Sequence, residues 1–293
     1  MLCNDCPRRC GADREFDKAG GVCRSPLTPV IARAAPHFGE EPCISGDKGS
    51  GTVFFSGCNL RCVFCQNRDI SRSSAGKPVT VERLRDIFLE LQDEGVHNIN
   101  LVTAAHFIRP VTEALEGAKL SIPVVWNSSG YESVESLRRL EGLVQVYMPD
   151  LKYLDTKLSL RYSAAKDYPE VAVSAIAEMY RQRGRFVLDD EDMLVSGVLV
   201  RHLILPGARE NSEKVIHFIA ENYPGDRVLF SLMCQYTPMP GLEKYPELQR
   251  TVTASENDAL CRYMEDCGIE YGFFQEPESA TDEMIPDFDL TGV

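Results

Sequence analysis

Gly57-Cys58-Asn59-Leu60-Arg61-Cys62-Val63-Phe64-Cys65-Gln66-Asn67 is the stretch on which the reading of this chain turns. Three residues separate its first two cysteines and two separate the second pair. A loop that short can turn three thiolates towards one point. Three thiolates hold three irons of a [4Fe–4S] cube and leave the fourth without a protein ligand. An open iron is what a cluster needs to bind a small molecule, as a catalytic zinc keeps one position free. The preceding run, Gly51-Thr52-Val53-Phe54-Phe55-Ser56, is β-branched and aromatic and reads as a buried strand. The cysteines therefore follow the C-terminal end of a strand, where α/β barrels keep their chemistry. A structural zinc loop and unrelated core thiols are the competing readings. Zinc sites favour paired Cys-x-x-Cys knuckles, and so dense a run of cysteines is hard to account for as core.

Downstream of the loop the pattern alternates. Thr80 caps a helix whose Leu84, Ile87, Phe88 and Leu91 share one face, ending at Gly95. Strands are expected over 98–103, 123–127, 144–148, 197–206 and 227–233, with a last strand or extended run over 270–275. Helical stretches fill 107–119, 132–140, 156–183, 211–222 and 255–267. Strands separated by helices and joined by right-handed crossovers give parallel βα units. Six such strands, counting the one before the cysteine loop, predict a partial (β/α)6 barrel. The expected organisation is a cysteine-rich extension and connector over 1–48, the barrel over 49–275 and an irregular tail over 276–293. The connector, with His37, Gly39, Pro42 and Gly46, reads as a loop, and Cys43 as a small buried thiol.

The first segment carries Cys3, Cys6, Cys10 and Cys23, threaded with Pro7 and the flexible Gly20-Gly21. Little apolar material surrounds these cysteines, so packing alone would hardly order residues 1–25. Four soft ligands closing on one ion would supply the missing stability. Zinc and a second iron–sulfur cluster both fit, and a disordered thiol-bearing tail is the plain alternative.

The chain has 293 residues, enough for one substantial core, and its formal charge of −13 would repel phosphate backbones. No nucleic-acid partner is expected. No apolar run approaches the roughly 20 residues of a membrane helix, and the start lacks the regions of a signal peptide. A cytoplasmic protein is the expectation, in which eleven cysteines point to metal ligation before disulfides.

Polar residues gather where the strands should end: Asn127-Ser128-Ser129-Gly130, Asp150 with Lys152, Arg201, and Gln235 with Tyr236. In a parallel barrel those ends converge on one mouth. Each alone more often satisfies a local backbone group. Lone histidines such as His37, His106 and His202 are more often hydrogen-bonded than ligating.

The cysteine spacing, with the aromatic Phe64 before Cys65, resembles the radical S-adenosylmethionine (SAM) superfamily. More narrowly, Phe55-Ser56-Gly57-Cys58 through Asn67, Asp150-Leu151-Lys152, Arg201-x4-Pro206-Gly207 and the Pro286-Asp-Phe-Asp-Leu290 tail resemble the pyruvate formate-lyase activating enzymes. The N-terminal cysteines and Glu41-Pro42-x-Ile44-Ser45-Gly46 resemble one branch of that family. The resemblance implies a [4Fe–4S] cluster on Cys58, Cys62 and Cys65, with Phe64, Asn127, Asp150, Lys152 and Arg201 near the SAM. It implies an enzyme of anaerobic oxidoreductase type that cleaves SAM to a 5′-deoxyadenosyl radical, which takes hydrogen from a substrate. It also implies an electron donor such as flavodoxin or ferredoxin, and a protein substrate carrying a glycine. One departure stands out. Where activating enzymes carry Gly-Gly-Glu-Pro after the second strand, this chain reads Thr103-Ala104-Ala105-His106. Thr103 and His106 are the candidates to hold the SAM amino group instead. The rival classes are a non-catalytic iron–sulfur electron carrier or assembly protein, and a zinc-binding interaction module. Reductive SAM cleavage separates the first from the enzyme; a colourless protein would mark the second.

Overall fold

The computed structural model describes residues 2–15, 18–73, 75–275 and 285–293. Its centre is one open sheet. The strands are β1 (Val30–His37), β2 (Ser50–Phe55), β3 (Lys77–Pro78), β4 (Ile99–Val102), β5 (Val124–Ser128), β6 (Val146–Pro149), β7 (Val187–Leu188), β8 (Leu194–Leu203), β9 (Leu229–Met233) and β10 (Gly272–Phe274). Their order across the sheet is β10-β9-β8-β6-β5-β4-β2-β1-β3, with β7 paired to β8. From β2 to β10 along this path every pairing is parallel. The fold is thus the α/β partial barrel expected, and the run at 270–275 joins it as a short parallel strand.

Alternation along the strands sorts the side chains into two layers. Phe55, Leu101, Trp126, Tyr147 and Phe230 belong to the main apolar core, which also takes in the stripe Leu84, Ile87, Phe88 and Leu91 of the Thr80-capped helix Val81–Asp93. The opposite face forms the barrel interior. There Val125, Val146, Met148, Leu199 and Leu229 close around Cys43 and Ile44. Those two residues come from the connector, which folds into a short helix, Pro42–Ser45, rather than the plain loop expected. The reason is local: Pro42 pre-sets the first turn, and burying Ile44 needs its backbone groups paired. Asn98 donates to the Ile44 carbonyl at 2.7 Å and completes that pairing. The connector is therefore the plug of the barrel floor.

Before the plug runs β1, antiparallel to β2, which sequence patterning did not single out. Val30-Ile-Ala-Arg-Ala-Ala-Pro-His37 is rich in alanine and carries a proline, both poor strand formers. Pro36 is tolerated because β3 pairs with β1 only at Val30 and Ile31, which leaves the Pro36 end as an edge. The end of the tail docks on the same strand. Leu290 N–H donates to the Ala32 carbonyl, Ala34 N–H to the Thr291 carbonyl, and Arg33 pairs with Asp289 at 2.8 Å. Residues 276–284 of the expected tail lie outside the described residues. Among the described residues no helix is long and apolar enough to cross a membrane.

At the end of β5 a buried carboxyl holds two strand side chains in place. Glu132 accepts from Trp126 Nε1 and from Ser128 Oγ, each at 2.6 Å. Burial pushes its pKa up to about 7, against both hydrogen bonds.

Two measurements test this picture. Ile44 is fully buried in the plug, so Ile44→Ala should lower stability by about 2–5 kcal/mol in urea unfolding. A loss below about 1 kcal/mol would show that the floor is not packed. Glu132 should make stability fall as pH rises, because the folded chain keeps a proton that the unfolded chain releases from about pH 4.5 upward. The loss is complete above about pH 7 and amounts to about 3 kcal/mol. Glu132→Gln should therefore show a flatter stability profile from pH 5 to 8 than the parent.

Candidate active site

The cysteine loop leaves β2 at Gly57, whose φ of 83° suits glycine. A Cβ at this position would collide with Ser25 Oγ and crowd the Cys23 carbonyl, so a residue without one lets the N-terminal segment lie on the loop. Arg61 takes a left-handed conformation, φ 59°, and turns the chain between Cys58 and Cys62. Cys58 and Cys62 are buried and Cys65 is partly exposed. Their sulfurs already accept hydrogen bonds. Leu60 and Arg61 N–H donate to Cys58 Sγ at 3.4 and 3.5 Å, Ser163 Oγ to Cys62 Sγ at 3.1 Å, and Ser71 Oγ to Cys65 Sγ at 3.4 Å. Such bonds stabilise thiolate and tune a cluster. Burial alone works the other way, pushing Cys58 up to about 12 and raising Cys65. Thiols so placed ionise when a metal takes the proton's place.

Phe64 anchors the loop. Its ring meets Tyr153, Tyr162 and Tyr236 edge-on at 6.2–6.4 Å, and Val63 N–H donates to the Tyr162 carbonyl. The loop is thus tied to the opposite wall of the barrel mouth.

One cavity of about 190 Å³ occupies that mouth. Cys58, Cys62, Phe64 and Cys65 line it together with Thr103, Asn127, Asp150, Lys152 and Arg201. The strand-end residues picked from sequence therefore converge, with Ser128, Ser129, Gln235 and Tyr236 among them. Thr103 has a left-handed backbone, φ 61°, which a β-branched residue adopts only under constraint. Its N–H donates to the Asn127 carbonyl at 2.9 Å.

His106 is placed elsewhere. The turn Ala105–Phe107 carries it away from the mouth, and Nε2 bonds the Ser56 carbonyl at 2.8 Å. It lines a separate small cavity with Cys3, Cys6, Cys10 and Cys23. The strand-end position was legible in sequence; the side to which the turn would face was not. His202 is an ordinary buried histidine, bonded to the Leu151 carbonyl and Ser212 Oγ.

The cations of the mouth are engaged by acids. Arg201 donates Nε to Asp150 at 3.2 Å, Nη1 to Glu40 at 2.8 Å and Nη2 to Asn127 at 2.6 Å. Glu40 also accepts from Asn100 and Asn127, each at 3.0 Å. Lys152 Nζ donates to Asp150 at 2.5 Å. Burial alone would raise Asp150 and lower both cations. The ion pairs outweigh it, holding the Asp150 carboxyl below its usual range and both cations above theirs. Glu41 follows burial instead and is raised, despite Arg201 at 3.8 Å. Lys152 is the cation whose charge acts on Cys62 and Cys65. Sequence reasoning missed Glu40. The available signal was Arg201 itself, a charge inside an apolar strand that needs a buried counter-charge.

The donor set fits a site-differentiated cluster: three thiols with sulfur-directed donors face a cavity that carries a lysine beside them. Among the described residues no three His, Cys, Asp or Glu side chains stand close enough to chelate a single ion, at the loop or at the N-terminal cysteines.

Residues 52–219, more than half of the chain, match the family model described as the Radical SAM superfamily. The chain is 31% identical over 279 residues to "Uncharacterized protein MJ0674" of Methanocaldococcus jannaschii, covering 92% of this chain and 75% of that protein. Among solved structures it resembles SuiB of Streptococcus suis bound to S-adenosylmethionine, with a TM-score of 0.50 and 13% identity over 81% of this chain. It spans only about half of that protein, 49%. A domain of the pyruvate-formate lyase-activating enzyme from Bacteroides vulgatus matches at a TM-score of 0.36 and 13% identity, covering 67% of this chain and 91% of that one. That likeness is too weak to argue from. Family model and fold agree with the cysteine loop and its cavity: the chain belongs to the radical SAM superfamily, whose enzymes carry a [4Fe–4S] cluster and use SAM.

Proposed function

We propose that the barrel mouth binds SAM against a [4Fe–4S] cluster held by Cys58, Cys62 and Cys65, and that the chain abstracts hydrogen from a glycyl residue of a partner protein. The observation that carries the SAM site is that these thiols, Lys152 and Asp150 line one cavity. The protein substrate is carried by the sequence resemblance to activating enzymes. When bound, the cluster supplies the electron that cleaves SAM to methionine and a 5′-deoxyadenosyl radical, the hydrogen-abstracting species. An electron donor of flavodoxin or ferredoxin type serves it.

The chain's own residues bind, orient and shield. Lys152, beside Cys62 and Cys65, is the anchor for the SAM carboxylate, by a charge-assisted hydrogen bond. Asp150, kept ionised by two cations, and Asn127 offer acceptors to its amino group. Arg201 positions both through its bonds to Asp150 and Asn127. Thr103 borders the cavity where activating enzymes place glycine. Phe64 and the tyrosines around it keep water from the thiols. We further propose that Cys3, Cys6, Cys10 and Cys23 hold a second thiophilic metal centre.

The test is anaerobic reconstitution followed by dithionite reduction. The protein should be brown and release 5′-deoxyadenosine from SAM, and replacing Cys58, Cys62 and Cys65 together by Ala should abolish both. Cleavage that survives that triple replacement would end the proposal. Lys152→Met should retain the cluster but bind SAM tens-fold more weakly, a loss of about 2 kcal/mol. Unchanged affinity in equilibrium dialysis would remove Lys152 from the site. With a candidate glycine-bearing partner, a new organic radical signal in electron paramagnetic resonance should appear. Persistent failure across partners, with SAM cleavage intact, would exclude the glycyl substrate alone.

A further inference from the structure

His106, whose ring carries an orphaned nitrogen, lines the cavity of the N-terminal cysteines. His106 Nε2 sits 2.8 Å from the Ser56 carbonyl, and a carbonyl only accepts, so Nε2 carries the proton and Nδ1 is a bare lone pair. Burial keeps the ring neutral, its pKa pushed down to about 3. Nδ1 is buried and has no hydrogen-bond partner. A buried acceptor left unpaired costs about 1–3 kcal/mol, so it calls for an occupant. The side chain lines the same small cavity as Cys3, Cys6, Cys10 and Cys23. A ring with one N–H fixed by a backbone carbonyl and the other nitrogen bare is how histidine ligands are held.

The segment that brings these cysteines is fastened to the backbone of the same histidine and to the radical loop. Arg14 donates Nη1 to the His106 carbonyl at 3.0 Å and to Cys3 Sγ at 3.4 Å, and Nε to the Ser25 carbonyl at 3.0 Å. Arg8 donates to the Asn59 carbonyl at 2.8 Å and the Leu60 carbonyl at 3.2 Å, inside the cysteine loop.

Building on the second centre proposed above, we infer that His106 Nδ1 is a nitrogen donor to it, beside the N-terminal cysteines, for a thiophilic first-row metal taken as zinc or as an iron–sulfur unit. Cys3, Cys6 and Cys23 line the same small cavity as the histidine and would complete the donor set. Cys10, exposed at the rim, is the least constrained of the four. Because Nε2–H holds Ser56, two residues before Cys58, metal at this centre also stiffens the start of the radical loop.

The experiment uses the full chain with Cys58, Cys62 and Cys65 replaced by Ala, so that metal found belongs to the second centre. It is compared with the same chain carrying His106→Gln, which keeps an N–H for Ser56 and removes the Nδ1 lone pair. Metal should be present in the first and retained at least tenfold less well by the second against EDTA. X-ray absorption of the His106-containing chain should find a nitrogen at about 2.0 Å beside sulfurs at about 2.3 Å if the metal is zinc. An iron edge with a sulfide content and one nitrogen neighbour would identify the iron–sulfur unit and also support the donor. An all-sulfur shell with equal retention overturns His106 as ligand and leaves a four-cysteine centre standing. A metal-free parent overturns the second centre itself. Should the glutamine variant fail to fold, the absorption measurement decides alone.

Discussion

A guanidinium inside a barrel is expensive to bury, and the arrangement around Arg201 is what makes it tolerable. Its nitrogens are met by Asp150, Glu40 and Asn127, from the residue after β6, the connector and β5. Removing any one acid would leave an uncompensated buried charge, a loss of about 3–5 kcal/mol in comparable cases. The network therefore fixes the distance between strands that the hydrogen-bond ladder alone would let slide. It also places the connector, because Glu40 can reach Arg201 only if the Pro42–Ser45 helix is seated in the barrel floor. Floor, polar layer and mouth are successive consequences of satisfying one cation.

Charge balance at the mouth follows from the same network. Arg201 and Lys152 bring two positive charges, and Asp150 and Glu40 bring two negative ones. A zwitterionic amino-acid end entering such a site exchanges like for like, so binding does not require a large net field. The overall acidity of the chain is consequently no obstacle to an anionic carboxylate in this pocket.

Much of this was legible in the chain. The Cys58–Cys65 spacing, the Thr80 cap and the alternating apolar strands each follow from local rules that no tertiary context overrode. Asn127, Asp150, Lys152 and Arg201 could be placed together because parallel strands end on one side. What was hidden shares a cause: it depended on long-range partners. β1 is a strand because β2 and the tail flank it, not because alanine and proline favour extended chain. Glu40 sits in a stretch that reads as a solvated loop, yet its acid is spent on a strand 161 residues away. His106 stood at the right strand end, but the direction of a three-residue turn is set by the N-terminal segment packed beneath it.

The seated connector helix has a further consequence for traffic. With Cys43 and Ile44 filling the interior against Val125, Val146 and Leu199, the barrel is a cup rather than a tube. Reactants that use its mouth share a single rim for entry and exit. Of two ligands in such a cup, the deeper would enter before the other and leave after it. A partner protein too large for the cup could present only a narrow, extended piece of chain over that rim.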